Sequence, residues 1–366
     1  MWAGATEQPA PLLSIIIDNY NYGRFLAEAI DSALAQNYRP LEVIVVDDGS
    51  QDDSRTVMAG YCDRIRPIYK SNAGQASAFN AGFAASQGDI IVFLDADDRL
   101  LPHTGEQVAR LFAADMNIAK VHYRLAVIDA AGRLTGDIMP PSHRPLPRGD
   151  LRWRALASPD DIPWLPTSGN AFARRSLVAI FPVPEGVYRI CADYYLSNLT
   201  TLFGTIEALD LPGGHYRVHG KNSHYTSTLN LDQTRQIILL TRATHGYLAR
   251  LARALGYAPA SFDADQFASV TYVAHRLVSL RLAPEEHPIA GERYGELVAL
   301  GMRAAFGRSD LPLLIRCAFA VWLVAVALAP RPIIHWLTRQ VFQPGQHGLL
   351  SVLRAQVGRL VLRRPA

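Results

Sequence analysis

The chain has 366 residues, 49% of them hydrophobic and 19% charged. That balance excludes a disordered chain and a multi-span membrane protein, and the length suits two or three structural units around a sizeable core. The net charge of +3 hides a division: residues 311–366 hold seven arginines and no acid, which leaves 29 basic and 33 acidic side chains in residues 1–310.

Met1 to Pro11 has no basic start and contains Glu7, and the apolar run behind it, Leu12–Ile17, is too short for a secretory leader. The run suits a strand, and the body is expected in the cytosol. Arg24–Gln36 places Phe25, Leu26, Ala29, Ile30, Ala33 and Leu34 at helical spacing. Leu41–Val46 and Ile90–Leu94 are near-continuous apolar runs, the pattern of strands covered on both faces. Ile65–Tyr69 is a further candidate strand and the Ala-rich Gly74–Ser86 a further helix. Strand and helix alternate, which predicts an open α/β sheet. The proline-rich stretch 139–166 reads as an irregular loop over a site; its Trp153 and Trp164 suit packing, or stacking on a sugar or prenyl chain. Helical periodicity returns in Ile237–Leu255, Phe267–Leu282 and Glu292–Ala305. Cys62, Cys191 and Cys317 are far apart, odd in number and form no CxxC, which argues against zinc or a disulfide framework and for a reducing compartment.

Two of the apolar runs end in acid. Asp47-Asp48-Gly49-Ser50 follows Val46, and Asp95-Ala96-Asp97-Asp98 follows Leu94. Open α/β sheets bind ligands beyond the carboxyl ends of their strands. Carboxylates gathered there repel one another and call for a divalent cation, Mg²⁺ or Mn²⁺, which also bridges substrate phosphates. Turn formation or helix capping explains either cluster alone; the matched positions favour a site. Neither GxGxxG nor GxxxxGK[ST] occurs, so dinucleotide dehydrogenase and P-loop NTPase lose their main support. Asp193 sits in the apolar segment Ile190–Leu196, a setting that raises a carboxyl pKa and suits a general base; a helix N-terminal Asp is the plain alternative. Arg217 and His219 share one face if Tyr216–Gly220 is extended, with a surface-loop histidine as the alternative for His219.

These residues carry a resemblance. Ser14–Ile17 with Asn19-Tyr20-Asn21-Tyr22, Glu42–Ser50, Asn72-Ala73-Gly74-Gln75, Phe79-Asn80-Ala81-Gly82, Gly88-Asp89 and Phe93–Asp98 resemble the opening of a family 2 glycosyltransferase of GT-A fold, of the bacterial cell-envelope type. The likeness weakens through residues 100–165. It resumes at Ser168-Gly169-Asn170 with Arg174-Arg175, at Ala192–Leu196 and at Tyr216–His219, and no family motif lies beyond about residue 230.

The resemblance implies an inverting transfer of a sugar from a nucleotide-diphosphate donor, UDP-linked by preference, to a hydroxyl of a glycan or polyprenyl-linked acceptor. It sets Tyr20 near the nucleobase and Asp48, with Asp47, at base or ribose, and adds Asn80 and Arg217 to the donor contacts. Asp95 and Asp97 form the DxD element, with Asp97, Asp95 and His219 as metal ligands. Asp193 matches the catalytic base. Asp18 stands where the family often has Pro, and Ala192 where it has Glu. The Gln-x-x-Arg-Trp motif of processive synthases is absent, which favours single transfers. Sugar-1-phosphate nucleotidyltransferase is the alternative enzyme, disfavoured by the single glycine in Asp18–Gly23; a non-catalytic sugar-nucleotide-binding scaffold is the other.

The expected organisation is a catalytic domain over 1–230 (donor half to about 100), a helical appendage over 231–310 and a basic apolar tail over 311–366. Leu311–Ala329 has one charge, Arg316, and enough length to cross a bilayer. Leu349–Leu362 places its apolar residues on one arc with Arg354, Arg359 and Arg363 outside it, as basic membrane-surface helices do. A single span would separate the tail from a body that needs cytosolic sugar nucleotides, and six arginines after Pro330 favour the cytosolic side. Re-entrant or in-plane, monotopic association with an anionic membrane, at the cytoplasmic face of the inner membrane, is therefore expected. A soluble dimerisation unit is the alternative, and nucleic acid is not expected as a partner because no aromatic-basic platform accompanies the charge.

Overall fold

The computed structural model describes residues 10–142, 145–157, 165–220, 222, 230–258, 269–307 and 312–342. Trp164 and the Leu349–Leu362 segment lie outside them. The chain divides into two compact units, residues 1–153 with 162–220, and residues 154–161 with 221–366.

The first unit is an α/β sheet. In chain order its elements are β1 (Leu13–Asn19), α1 (Gly23–Leu34), β2 (Leu41–Asp47), α2 (Ser54–Ala59), β3 (Arg66–Tyr69), α3 (Gln75–Ala85), β4 (Ile90–Asp95), β5 (Arg99–Leu100), α4 (Thr104–Ala114), β6 (Ile118–His122), β7 (Leu125–Ile128) and β8 (Leu134–Met139). Then follow α5 (Arg152–Ala157), whose residues from Arg154 on belong to the second unit, β9 (Asn170–Ala173), α6 (Arg174–Val178), α7 (Ala192–Leu199), β10 (Thr205–Ala208) and β11 (Gly214–Arg217). The main sheet has the order β10-β6-β9-β4-β1-β2-β3, and a smaller one the order β5-β11-β7-β8. β1 runs parallel to β2 and β4, whereas β9 is antiparallel to β4 and β6.

The apolar runs become strands because each face has a cover. Leu13, Ile15 and Ile17 pack with Leu26, Ala29, Ile30 and Ala33 of α1. Ile16 points the other way, under α3. There a Cβ on Gly82 would lie 2.3 Å from Ile16, so glycine lets the helix approach the strand. β1 and β2 continue past their apolar runs into polar residues, Asp18-Asn19 and Asp47. The expected irregular stretch 139–166 contains the short helix α5.

The second unit is helical: α8 (Leu231–Ala254), α9 (Val270–Leu282), α10 (Tyr294–Gly307), α11 (Leu313–Leu328) and α12 (Arg331–Phe342). Asn230 caps α8 by accepting the backbone N–H groups of Asp232 and Gln233, and Ser269 caps α9 through Tyr272 N–H. Ile238, Tyr272, Val273, Leu277, Leu297, Trp322, Leu323 and Ile334 form its core. Among the described residues no helix is long and apolar enough to cross a membrane.

Candidate active site

The carboxyl ends of β4, β1 and β2 form the floor of the site. Register sets Asp18 beside Asp95 and Asn19 beside Asp47. β2 and β3 lie to one side of β1 and β4 to the other. The chain thus reverses direction across the sheet between β1 and β4, the crevice in which open α/β sheets bind ligands.

Asp47 and Asp48 organise the loops around that crevice. Asp47 is fully buried and accepts hydrogen bonds from Asn19 Nδ2 (3.3 Å), Ser50 N (3.2 Å) and Arg55 Nε (3.1 Å). Asp48 accepts from Ala73 N (3.1 Å), Gly74 N (2.7 Å), Asn72 Nδ2 (3.1 Å) and the Lys70 ammonium. Gly74 has φ +91°, and a Cβ there would lie 2.4 Å from the Arg189 carbonyl oxygen. Only glycine meets both demands.

Asp95, Asp97 and Asp98 sit on a turn closed by Asp98 N–H donating to the Asp95 carbonyl (3.0 Å). The turn is held from β11. Arg217 is fully buried, donates from Nε to the Asp97 carbonyl (2.7 Å) and from its backbone N–H to Asp98 Oδ1 (2.9 Å), and pairs with Glu28 at 2.7 Å. Its guanidinium lies 4.5 Å from the centre of the Phe25 ring. Arg217 therefore shapes the DxD turn from behind. The side chain of His219 is buried, and its Nε2 lies 2.9 Å from Asp97 Oδ2. The strand ends at Arg217, and both Arg217 and His219 touch the turn.

A second side of the site is carried by α7. Cys191, just before it, has φ +66°, a left-handed conformation costing about 1–2 kcal/mol for a non-glycine residue. Asp193 lies in the first turn, nearly buried, and its Oδ1 accepts Tyr194 N–H at 2.9 Å. Burial pushes the Cys191 thiol well up, aided by the Asp193 and Asp95 carboxylates, so it is no thiolate nucleophile.

One residue joins the two sides. Gln75 donates from Nε2 to Asp95 Oδ1 and to Thr167 Oγ1, each at 3.3 Å, while its Oε1 accepts Ala192 N–H at 2.9 Å. Ser168 adds a second tie, donating to Asp98 Oδ2 (2.7 Å) and accepting Asp95 N–H (3.2 Å). Sequence reasoning used Gln75 and Ser168 as carriers of the resemblance and assigned them no role.

Like charge crowds the crevice. Burial, then the Asp97 and Asp193 carboxylates, push Asp18 up to about 8. Burial first and neighbouring carboxylates second also hold Asp95 and Asp98 well above the ordinary range. Oδ1 of Asp18 is sealed from solvent with no hydrogen-bond partner. Such a cluster fits a hard divalent cation, which takes carboxylate oxygens. No three His, Cys, Asp or Glu side chains among the described residues converge as a ready ligand shell.

Asp18, Asp95, Asp97, Asp193 and His219 are thus brought together. Tyr20, 44% exposed, follows β1. Asn80 is not part of the group: its amide binds the Val183 carbonyl (2.9 Å), Glu185 (3.1 Å) and Val183 N–H (2.8 Å).

The Glycosyl transferase family 2 model matches residues 14–164. An uncharacterized glycosyltransferase of Nostoc sp. is 35% identical over 262 residues, 67% of this chain and 80% of that one. Another, from Rickettsia prowazekii, is 46% identical over 94 residues, 26% of this chain and 30% of that one. The structure of S. aureus TarS 1–349 in complex with UDP-GlcNAc superposes with a TM-score of 0.51 and 15% identity, covering 90% of each chain, a likeness of fold. An α/β sheet of this topology with its C-terminal helices is a GT-A glycosyltransferase. The chain belongs to glycosyltransferase family 2.

Proposed function

We propose that this glycosyltransferase moves a sugar from a nucleotide diphosphate, UDP by preference, to a hydroxyl of a glycan or lipid-linked acceptor of the cell envelope, inverting the anomeric centre. Gln75 is the observation that carries the reading, because its amide spans the Asp95 carboxylate and the N-terminus of the helix bearing Asp193. Donor-side and acceptor-side chemistry are tied within one side chain.

An acceptor hydroxyl is a poor nucleophile near neutral pH. Asp193 takes its proton as the oxygen attacks, and attack opposite the leaving diphosphate inverts the configuration. Asp97 and His219, with Asp95, would hold a divalent cation, which when bound supplies Lewis-acid stabilisation of the diphosphate charge. Asp47 and Asp48 order the base-side loops, and Tyr20 offers an exposed ring for a nucleobase.

The test separates binding from chemistry. Asp193→Asn is expected to lower kcat roughly 10²–10⁴-fold while calorimetry finds UDP affinity within about twofold of the parent. A matching collapse of UDP affinity, or unchanged transfer, rejects Asp193 as the base.

A further inference from the structure

Helix α11 is apolar on both sides but partnered on only one. Phe319, Trp322, Leu323 and Val326 are buried within the helical unit. Leu314, Val321 and Leu328 recur every seven residues along the opposite side, with exposed Cys317 between them. Val321 is 69% and Leu328 79% exposed. That stripe carries no charge, and α12 opens with exposed Ile333 and Trp336 close to Arg331. Contiguous apolar surface of this kind marks an interaction site.

Charge selects the partner. The helices α11 and α12 themselves bring three arginines, Arg316, Arg331 and Arg339, and no acid. A second copy docking through the same face would set this excess against itself, and like charge across an interface is strongly disfavoured. An anionic lipid surface complements it. Length selects the orientation: α11 has 16 residues, about 24 Å of helix, against a hydrocarbon core of about 30 Å. One of its faces is already committed to protein. Both facts favour lying in the interface over crossing it.

We propose that the exposed face of α11 and α12 docks in plane on an anionic phospholipid surface. Val321, Leu328 and Trp336 enter the boundary between headgroups and acyl chains, and Arg331 meets the phosphates. This docking stands independently of the catalytic reading.

The test is flotation of the full chain with phosphatidylcholine vesicles, with and without phosphatidylglycerol. The bound fraction is expected to rise at least about tenfold with phosphatidylglycerol and to fall in high salt. Val321→Glu combined with Leu328→Glu should reduce flotation about tenfold and leave UDP affinity unchanged. Arg331→Glu, which alters charge alone, should weaken binding only to anionic vesicles. Equal flotation of parent and variants overturns the proposal. So does a parent dimer, seen by light scattering without lipid, that the double substitution converts to monomer with flotation unaltered.

Discussion

Lys120 is the least expected residue of the catalytic unit. It lies on β6, fully buried, with no hydrogen-bond partner for its ammonium. Burial pushes it down from its ordinary 10.5 to about 7, against the opposing pull of the Asp193 carboxylate. Between those two values the unfolded chain binds the proton and the folded chain releases it, so folding stability rises with pH across that window. Below about pH 7 both states are protonated and the full desolvation penalty applies. Lys120→Met should therefore stabilise the fold by about 1–4 kcal/mol at pH 6 and by progressively less toward pH 10. Thermal unfolding across pH checks this, and a gain that grows with pH would contradict it. Nothing in the local sequence announces the site, since Lys120 and His122 flank Val121 in β6 and such alternation marks a half-exposed strand. Asp18 was legible only as a departure from the family's usual proline. Asp95, Asp97 and Asp193 were legible because strand ends and a helix start are marked by apolar runs. The bridging role of Gln75 depends on contacts 20 and 117 residues away, which no local pattern encodes.

At the scale of elements, β1, β2 and β4 follow their apolar runs because both faces are covered, and the periodicity of 24–36 predicts α1 within two residues at its C-terminal end. The smaller sheet was not foreseen. Its strands are two to six residues long, too short for alternation to register. Yet β11 brings the clamp on the DxD turn. Sequence reasoning set Arg217 on the donor diphosphate; its side chain is instead occupied with the Asp97 carbonyl, Glu28 and the Phe25 ring. Truncating it strands a buried carbonyl and empties a packed volume. Arg217→Ala should cost roughly 3–5 kcal/mol in urea unfolding, and Arg217→Lys should restore little of it, because an ammonium lacks the guanidinium's fork. Parent-like stability in the alanine variant would return Arg217 to a purely ligand-binding role.

For the whole molecule, the charge division seen in the sequence finds two structural settings. Acid in the first unit crowds the switch-point crevice, where several carboxyls are held above their ordinary range. On the proposed reading, a cation completed by substrate phosphates would relieve that crowding only when both arrive. Mn²⁺ with UDP should accordingly raise the melting temperature by more than the sum of the two added singly, and EDTA should remove the excess. Saturation about a hundredfold above Kd corresponds to about 2.7 kcal/mol. Additive shifts would mean that donor and cation bind independently. The basic excess falls at the end of the chain, where residues 311–366 hold seven arginines and no acid offsets them.

The clamp from β11 also decides how divisible the enzyme is. The family 2 model matches this chain as far as residue 164, ahead of Ser168, Asp193, Arg217 and His219. Arg217 reaches back 119 residues to Asp98, and His219 reaches back 122 to Asp97. A fragment cut at residue 164 would keep every strand of the crevice floor and lose the groups that hold its turn. During synthesis the ribosome therefore releases the acidic cluster long before its tether, and the site closes only once the chain has passed His219.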